Sequence, residues 1–374
     1  MLLAAVAVRF VALGDFESTP SAAHPMVDAY TYWQQAGALF NDADPFREGY
    51  YQPPAYPWLL AQLGGLFGGM SLKWVRPLHA LLGLLTTGGV LLLGRSLGRA
   101  LARPWLGPVA GLLFVLSPTP LLFEHDVLTP ALTLATSTWS AVALVWGWQR
   151  RSLGLVLVGG ALAGVTCAAH PTYLLAAVTG LVALGLLARP EARWALPAAF
   201  AVGLAAPLAP TTIDNARQFG VFELVSHNGG LNFYLGNNPR MRETAFLRPG
   251  LPFRKLVLEA DPATRALPER NAYWWSRTRK EAMAAPLATL AVVGAKAVWS
   301  VNDVEVPRNE DYRCRTAAGQ ALHWVGRLPA RFGLLFPLAL VGAGVVLRRR
   351  DETMWAVPVW LALHAPLVLF LVSD

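Results

Sequence analysis

Charged side chains are scarce in this chain. Asp, Glu, Lys and Arg make up 14% of the 374 residues, whereas hydrophobic residues make up 55%. Soluble domains carry about 25% charged residues, so the composition argues against an ordinary soluble domain and indicates lipid as the main solvent. There are two cysteines, Cys167 and Cys314. Because the first lies in an apolar run and the second in a polar loop, we do not expect them to form a disulfide.

Motifs for common cofactors are also absent from the sequence. It contains no Cys-x-x-Cys, no His-Glu-x-x-His, no P-loop and no glycine-rich dinucleotide motif between a strand and a helix. The net charge of +8 could suggest nucleic acid as a partner. Most arginine clusters, however, lie in short links between apolar runs, which is typical of membrane topology, so we expect no nucleic-acid partner.

Long apolar runs dominate the sequence. A helix needs about 20 mostly apolar residues to cross a bilayer. This rule predicts an all-α polytopic membrane protein with nine crossings. Two further stretches, 54–70 and 286–300, are predicted to lie flat on the surface as interfacial helices. The predicted crossings are 2–14, 74–94, 105–122, 128–148, 153–170, 171–188, 194–212, 332–347 and 354–372.

Basic residues in the short links predict the orientation. With nine crossings, the links that carry Arg95 to Arg103, Arg150 and Arg151, Arg189 and Arg193, and Arg348 to Arg350 all fall on one face. The positive-inside rule makes that face cytoplasmic.

The opposite face receives the two long polar segments. The sequence divides into a transmembrane module (1–212) with a first external loop (14–73), an external segment (213–331) and C-terminal transmembrane helices (332–374). Trp, Tyr, Pro and Asn are frequent in both external segments, which favours ordered structure there.

Asp28 is the first candidate for chemistry. Asp28, Tyr32 and Gln35 recur at helical spacing, so they predict a short amphipathic helix with a carboxylate in its first turn. A carboxylate there is also favoured by the helix dipole alone. The functional alternative is a general base for a sugar hydroxyl.

The link Glu124-His125-Asp126 is the second candidate. Ionisable groups between two apolar runs are costly at membrane depth and suggest a site, although in water they would only cap a helix. His125 with the carboxylates could ligate a metal, but a single histidine without a spaced partner is weak evidence.

Amides and aromatic rings in the second external segment form the third candidate. Between Ser226 and Pro239, the density of Asn and Gly predicts tight turns, and the amides suit carbohydrate hydroxyls. Arginines on the same face could bind a lipid phosphate, whereas His170 is more typical of a polar group at a helix end. The candidates for substrate binding are Tyr32, His170, Arg217, Asn228, Asn232, Tyr234, Asn237 and Arg308.

Several short motifs, in this order, resemble the GT-C glycosyltransferase superfamily, in particular the bacterial relatives of protein O-mannosyltransferases and of the aminoarabinose transferase (glycosyltransferase family 39-type). Together they cover essentially the whole chain. The motifs are Asp28-Ala-x-x-Tyr32, Pro53-Pro54-x-Tyr56-Pro57, Arg76-Pro77-Leu78, the acidic link with Glu124 and Asp126, Gly230 to Pro239, and Glu305-x-Pro307-Arg308-Asn309.

The resemblance implies a GT-C type helical bundle and inverting transfer of a sugar from a polyprenyl-phosphate donor. The acceptor would be a glycan, lipid or protein at the external face of a bacterial inner membrane. It implies that Asp28 is the base and that Glu124 or Asp126 positions the acceptor or, with Asp28, a divalent Mg²⁺ or Mn²⁺ ion. Family members often have an arginine where this chain has His170, which leaves the donor contacts there open. They also continue beyond Ser373-Asp374, and the first predicted crossing is clipped, so we expect truncation at both ends.

Two other functions remain open from the sequence. A transporter or flippase of lipid-linked saccharides would place ionisable residues near the bilayer midplane. A non-catalytic polysaccharide-assembly subunit would keep the fold without the reaction. The scarcity of charge within the predicted crossings favours chemistry at the surface.

Overall fold

A computed structural model of the chain describes residues 1–187, 193–245, 247, 249–260, 266–301, 315–327 and 332–348. These residues form α-helices and short 3₁₀ turns, without a β-strand among them. The helices are α1 (Leu2–Glu17), α2 (Asp28–Phe40), α3 (Ala55–Leu66), α4 (Leu72–Ala100), α5 (Leu106–Leu116), α6 (Pro118–Phe123), α7 (Pro130–Arg150), α8 (Leu153–Ala169), α9 (Leu174–Leu187), α10 (Ala195–Phe219), α11 (Gly229–Asn237), α12 (Met241–Thr244), α13 (Leu251–Leu258), α14 (Leu267–Ala284), α15 (Pro286–Val301), α16 (Ala317–Arg327) and α17 (Phe332–Arg348).

Two helices, α4 and α10, are long and apolar enough to cross a bilayer. A third crossing results if α14 and α15, which meet at a bend of 108°, count as one broken span. Four shorter apolar helices accompany them: α5, α8, α9 together with the turn before it, and α17. This architecture is compatible with a helical membrane protein.

The prediction of nine crossings is wrong for the described residues. Helix length is the main reason: α1 has 16 residues, α5 has 11 and α8 has 17, all short of the roughly 20 that a bilayer requires. Helix α7 has 21 residues, but its Thr and Ser side chains and its terminal Gln149 and Arg150 make it more polar. The predicted crossing 354–372 lies outside the described residues.

The predicted crossing 105–122 is divided between two helices. Ser117 has an extended backbone (φ −67°, ψ 120°) between α5 and α6, and Pro118 follows it. A proline disfavours the helical conformation of the residue before it, which accounts for the break. Of the two stretches predicted to be interfacial, 54–70 contains α3 and 286–300 lies within α15, so both do form helices.

Small residues bring α7, α8 and α10 together. Gly160 and Gly164 on α8 face the backbone of α10, and Gly203 on α10 faces α8 in return. The Ser140 hydroxyl on α7 donates to the carbonyl of Gly159 at 2.7 Å. Close approach of backbones through small residues is a common way for helices to pack in lipid.

Replacing Gly203 by valine should separate α8 from α10. A Cβ atom at this position would lie 2.2 Å from the carbonyl oxygen of Leu157, and a backbone atom cannot move aside cheaply. We expect a loss of at least about 2 kcal/mol, measured as a lower unfolding midpoint of the purified protein. Gly180→Val is the matched control, since a Cβ at Gly180 would meet no atom within 4 Å. Equal midpoints for the two variants would contradict this packing.

The first helix and a late helix are joined by buried polar contacts. The carboxylate of Asp15, near the end of α1, accepts from the backbone N–H of Thr316 at 2.8 Å and from the Arg315 guanidinium at 3.4 Å. A Cβ at Gly319 on α16 would collide with the same carboxylate. Helix α16 therefore packs directly against α1.

Candidate active site

Asp28 is the first residue of α2, and a buried amide holds its carboxylate. The Gln52 side chain, from the segment that precedes α3, donates from Nε2 to Asp28 Oδ1 at 2.9 Å. Asp28 itself is exposed, whereas Gln52 is buried. Val27, directly before it, has a φ of 54°, which is rare for a β-branched residue. Such strain is found disproportionately at functional sites.

Two tyrosines lie behind Asp28. The rings of Tyr32 on α2 and Tyr56 on α3 meet edge to face, with their centroids 5.5 Å apart. Tyr56 is fully buried, and its hydroxyl shares a hydrogen bond of 2.9 Å with Nε2 of His79 on α4. Burial, and then the charge of Asp28, raise the pKa of Tyr32 far above its ordinary value. The tyrosines therefore stay protonated and act as neutral hydrogen-bonding groups.

The negative charge of Asp126 acts on the same tyrosine pair. Burial, and then the negative charge of Asp126, raise the pKa of Tyr56 well above its ordinary value. The half-buried Asp126 carboxylate also accepts from the backbone N–H of Val127 at 2.8 Å. The structure thus brings Asp28 and Asp126, from two separate links, to one connected group of aromatic side chains.

Glu124 does not face Asp28. Its Oε1 atom accepts from the Arg9 guanidinium of α1 at 2.8 Å, and each side chain in this ion pair is only 3% exposed. The absence of a side chain at Gly83 on α4 leaves space for the Glu124 carboxylate, since a Cβ at Gly83 would lie 2.1 Å from Glu124 Oε1. Burial raises the pKa of the Glu124 carboxyl to about 7, against the opposing effect of Arg9. Of the two acids that the sequence left open, Asp126 is the one near the tyrosines.

His125 is enclosed by positive charge. Its ring stacks on Phe16 of α1, with centroids 5.4 Å apart, and the Arg76 guanidinium lies over the same phenyl ring. Burial, and then Arg315, Arg76, His79 and Arg9, lower the pKa of His125 to about 3. The histidine is therefore neutral at physiological pH.

A divalent ion between Asp28 and Glu124 does not fit these side chains. The Glu124 carboxylate already has the positive charge of Arg9 against it, so a second cation would be repelled. In the part of the chain that the structure describes, no three His, Cys, Asp or Glu side chains are grouped so that they could hold a metal.

The amides and the tyrosine of the second external segment lie in and beside α11. Tyr234 is fully buried, and its hydroxyl donates to the Glu281 carboxylate at 3.3 Å. Asn237 is also buried, and its Oδ1 accepts from Lys296 Nζ at 2.9 Å. Asn228 accepts from the Ser226 hydroxyl, and Asn232 is exposed. Tyr234 and Asn237 therefore have structural partners, whereas Asn232 is accessible.

The remaining candidates are spread over the molecule. His170 ends α8, is exposed and packs edge to face on Tyr173. Arg217 lies exposed in the last turn of α10. Arg308 lies outside the described residues. None of these is brought to the tyrosine pair by a contact that the structure describes.

Sequence reasoning missed three residues around the site: Arg9, Gln52 and His79. Arg9 and His79 did carry a signal, because each is an ionisable residue within an otherwise apolar run. Gln52 had none beyond its place before two prolines.

Comparison of the chain with known protein families, with curated proteins and with solved structures gives no match.

Proposed function

We propose that this protein is an inverting membrane glycosyltransferase of the GT-C type, with Asp28 as its general base. The donor is a polyprenyl-phosphate-linked sugar, and the acceptor is a hydroxyl of a glycan, lipid or protein. The reaction takes place at the external face of a bacterial inner membrane. One observation carries the proposal: Asp28 and Asp126, one from each of two motifs of the resemblance, both lie close enough to the edge-to-face Tyr32–Tyr56 pair for their charges to raise the pKa of a tyrosine in it.

The position of Asp28 suits a base. Its carboxylate is accessible to solvent, while the hydrogen bond from buried Gln52 fixes its orientation. In the reaction, Asp28 takes the proton of the acceptor hydroxyl as that oxygen attacks the anomeric carbon. The bond from this carbon to the phosphate oxygen breaks on the opposite face, and the phosphate leaves with the electron pair. General-base catalysis typically contributes 10²- to 10⁴-fold.

Asp126 and the tyrosines supply orientation. In this proposal Tyr32 and Tyr56 help to hold an acceptor hydroxyl near Asp28, and Asp126 helps to position it. Holding both substrates at one interface provides the proximity contribution to the rate. A positive group near the phosphate would stabilise it as it leaves.

A transfer assay tests the proposal. The purified full-length chain is incubated with radiolabelled polyprenyl-phosphate sugar and a panel of lipid, glycan and protein acceptors. We expect label in a new glycosidic product with inverted anomeric configuration. Failure to transfer with every donor and acceptor, by a protein that is folded in the bilayer, would reject the enzymatic function.

Transport of a lipid-linked saccharide is the second candidate, because of the Arg9–Glu124 pair. A buried ion pair within an apolar helix bundle is typical of transport pathways as well as of structural cores. Movement of labelled lipid-linked sugar across proteoliposomes without a new glycosidic bond would favour this candidate over transfer.

A further inference from the structure

A groove separate from the candidate active site lies between α14 and α15. Its volume is about 600 Å³, within the range of small-molecule sites. Trp275 and Arg279 line it from α14, Thr289 and Val292 from α15, and Phe233 and Asn237 form its floor on α11. None of the residues that line it belongs to α2, α3 or the link between α6 and α7. A molecule bound in the groove would therefore contact residues other than those around Asp28.

The residues that line the groove recur at helical spacing. On α14, Trp275 and Arg279 are four residues apart, and on α15, Thr289 and Val292 are three apart, so each set shares one helix face. Phe233 and Trp275 stack with their ring centroids 4.6 Å apart, giving a flat apolar wall. Most of this surface is apolar, which suits hydrocarbon better than a sugar.

The opposite face of α15 indicates what surrounds the groove. Leu287 is 80% exposed, Leu290 is 65% and Val298 is 64%, and Met283 at the bend is 76% exposed. An apolar face of this size is unfavourable in water and favourable in a bilayer. Helix α15 thus has lipid on one side and the groove on the other, so amphiphiles reach the groove directly from the bilayer.

Charge selects among those amphiphiles. Arg279 is exposed on the groove wall and supplies a positive charge to the groove. A cation on an otherwise apolar groove complements a molecule with a hydrocarbon chain and a phosphate. Ser276 and Thr278, which also line the groove, add hydroxyl groups for the polar part of such a headgroup.

We propose that the groove between α14 and α15 binds an anionic phospholipid of the surrounding bilayer, with its phosphate at Arg279 and an acyl chain along Trp275 and Val292. This site does not depend on the sugar-transfer reaction. A bound lipid would keep the bent pair α14–α15 seated at the membrane surface.

Native mass spectrometry of the full-length protein, released from nanodiscs of defined composition, tests the proposal. Phosphatidylglycerol should be retained, while phosphatidylcholine should be lost. Arg279→Gln should weaken phosphatidylglycerol binding about tenfold, the size expected for one charge-assisted hydrogen bond. Lys280→Gln is the matched control: it removes the same charge one residue away, at an exposed position that does not line the groove. We expect less than a twofold change there.

A second variant blocks the groove instead of changing its charge. Ser276→Trp should abolish lipid retention while the unfolding midpoint stays close to that of the parent; if that variant fails to fold, the Arg279 and Lys280 pair still decides. If Arg279→Gln and Lys280→Gln weaken phosphatidylglycerol binding equally, the proposal is overturned, because the lipid is then attracted by the positive charge of the surface in general. Three further outcomes would also overturn the proposal. These are retention of phosphatidylcholine as strong as that of phosphatidylglycerol, retention of polyprenyl phosphate instead of phosphatidylglycerol, and binding of free glycerophosphate.

Discussion

Replacing Asp28 by asparagine should lower sugar transfer by roughly 10²- to 10⁴-fold, the contribution expected of a general base. Asparagine keeps the shape of the side chain, and its carbonyl oxygen can still accept from Gln52, so the first external loop should stay folded. The loss should appear in the rate of product formation under saturating donor and acceptor, because the proton is taken in the transition state.

The matched control for this variant is Asp42→Asn. Asp42 lies exposed just after α2 with a φ of 55°, a conformation that asparagine tolerates well. The Asp42→Asn variant should transfer sugar at the rate of the parent protein. A near-normal rate for Asp28→Asn, in a preparation where Asp42→Asn is also active, would remove Asp28 from the role of base while leaving the transfer reaction itself intact.

Replacing Arg9 by methionine should destabilise the protein by about 3–5 kcal/mol, the typical cost of leaving a buried charge without its partner. Glu124 would remain in the space beside Gly83 with no guanidinium to neutralise it. The measurement is the unfolding midpoint of the purified protein in a fixed detergent. The double variant Arg9→Met with Glu124→Met should recover most of the loss, because an apolar pair can replace a buried ion pair.

The loss caused by Arg9→Met should also depend on pH. Glu124 has a folded pKa of about 7 against an ordinary value of 4.5, so the native state binds its proton more tightly than the unfolded state does. A carboxyl of this kind lowers stability progressively as the pH rises between those two values. Without Arg9 the folded pKa rises further, so the variant should lose more stability at pH 8 than at pH 5. A pH-independent loss would contradict a charged Glu124 in this contact.

Hydropathy predicted where many helices lie but not how many cross a membrane. The run 74–94 falls within α4, and the run 194–212 falls within α10 except for its first residue, because long apolar stretches have few alternatives to a helix. Prolines inside α10 did not end it, whereas Pro118 separates α5 from α6. A count of apolar residues does not distinguish a proline that ends a helix from one that the helix accommodates.

A residue of the candidate site could be predicted only where its assignment did not depend on distant contact partners. Asp28 could be selected from its motif and its place at a helix start. Glu124 and Asp126 could not be told apart, because the choice depends on Arg9, which is 115 positions away in sequence. Tyr234 and Asn237 were chosen for their chemistry, but chemistry alone does not reveal that Glu281 and Lys296 contact them.

The contact between α1 and α16 has a consequence for biosynthesis. Asp15 meets Arg315 and Thr316, partners that lie 300 and 301 positions further along the chain. At about 5–20 residues per second, a ribosome needs roughly 15–60 s to make that stretch. Throughout this interval the Asp15 carboxylate lacks these two partners. The final seating of the first helix against α16 must therefore follow the synthesis of residue 316, and a nascent chain stalled before residue 315 should leave that helix open to protease.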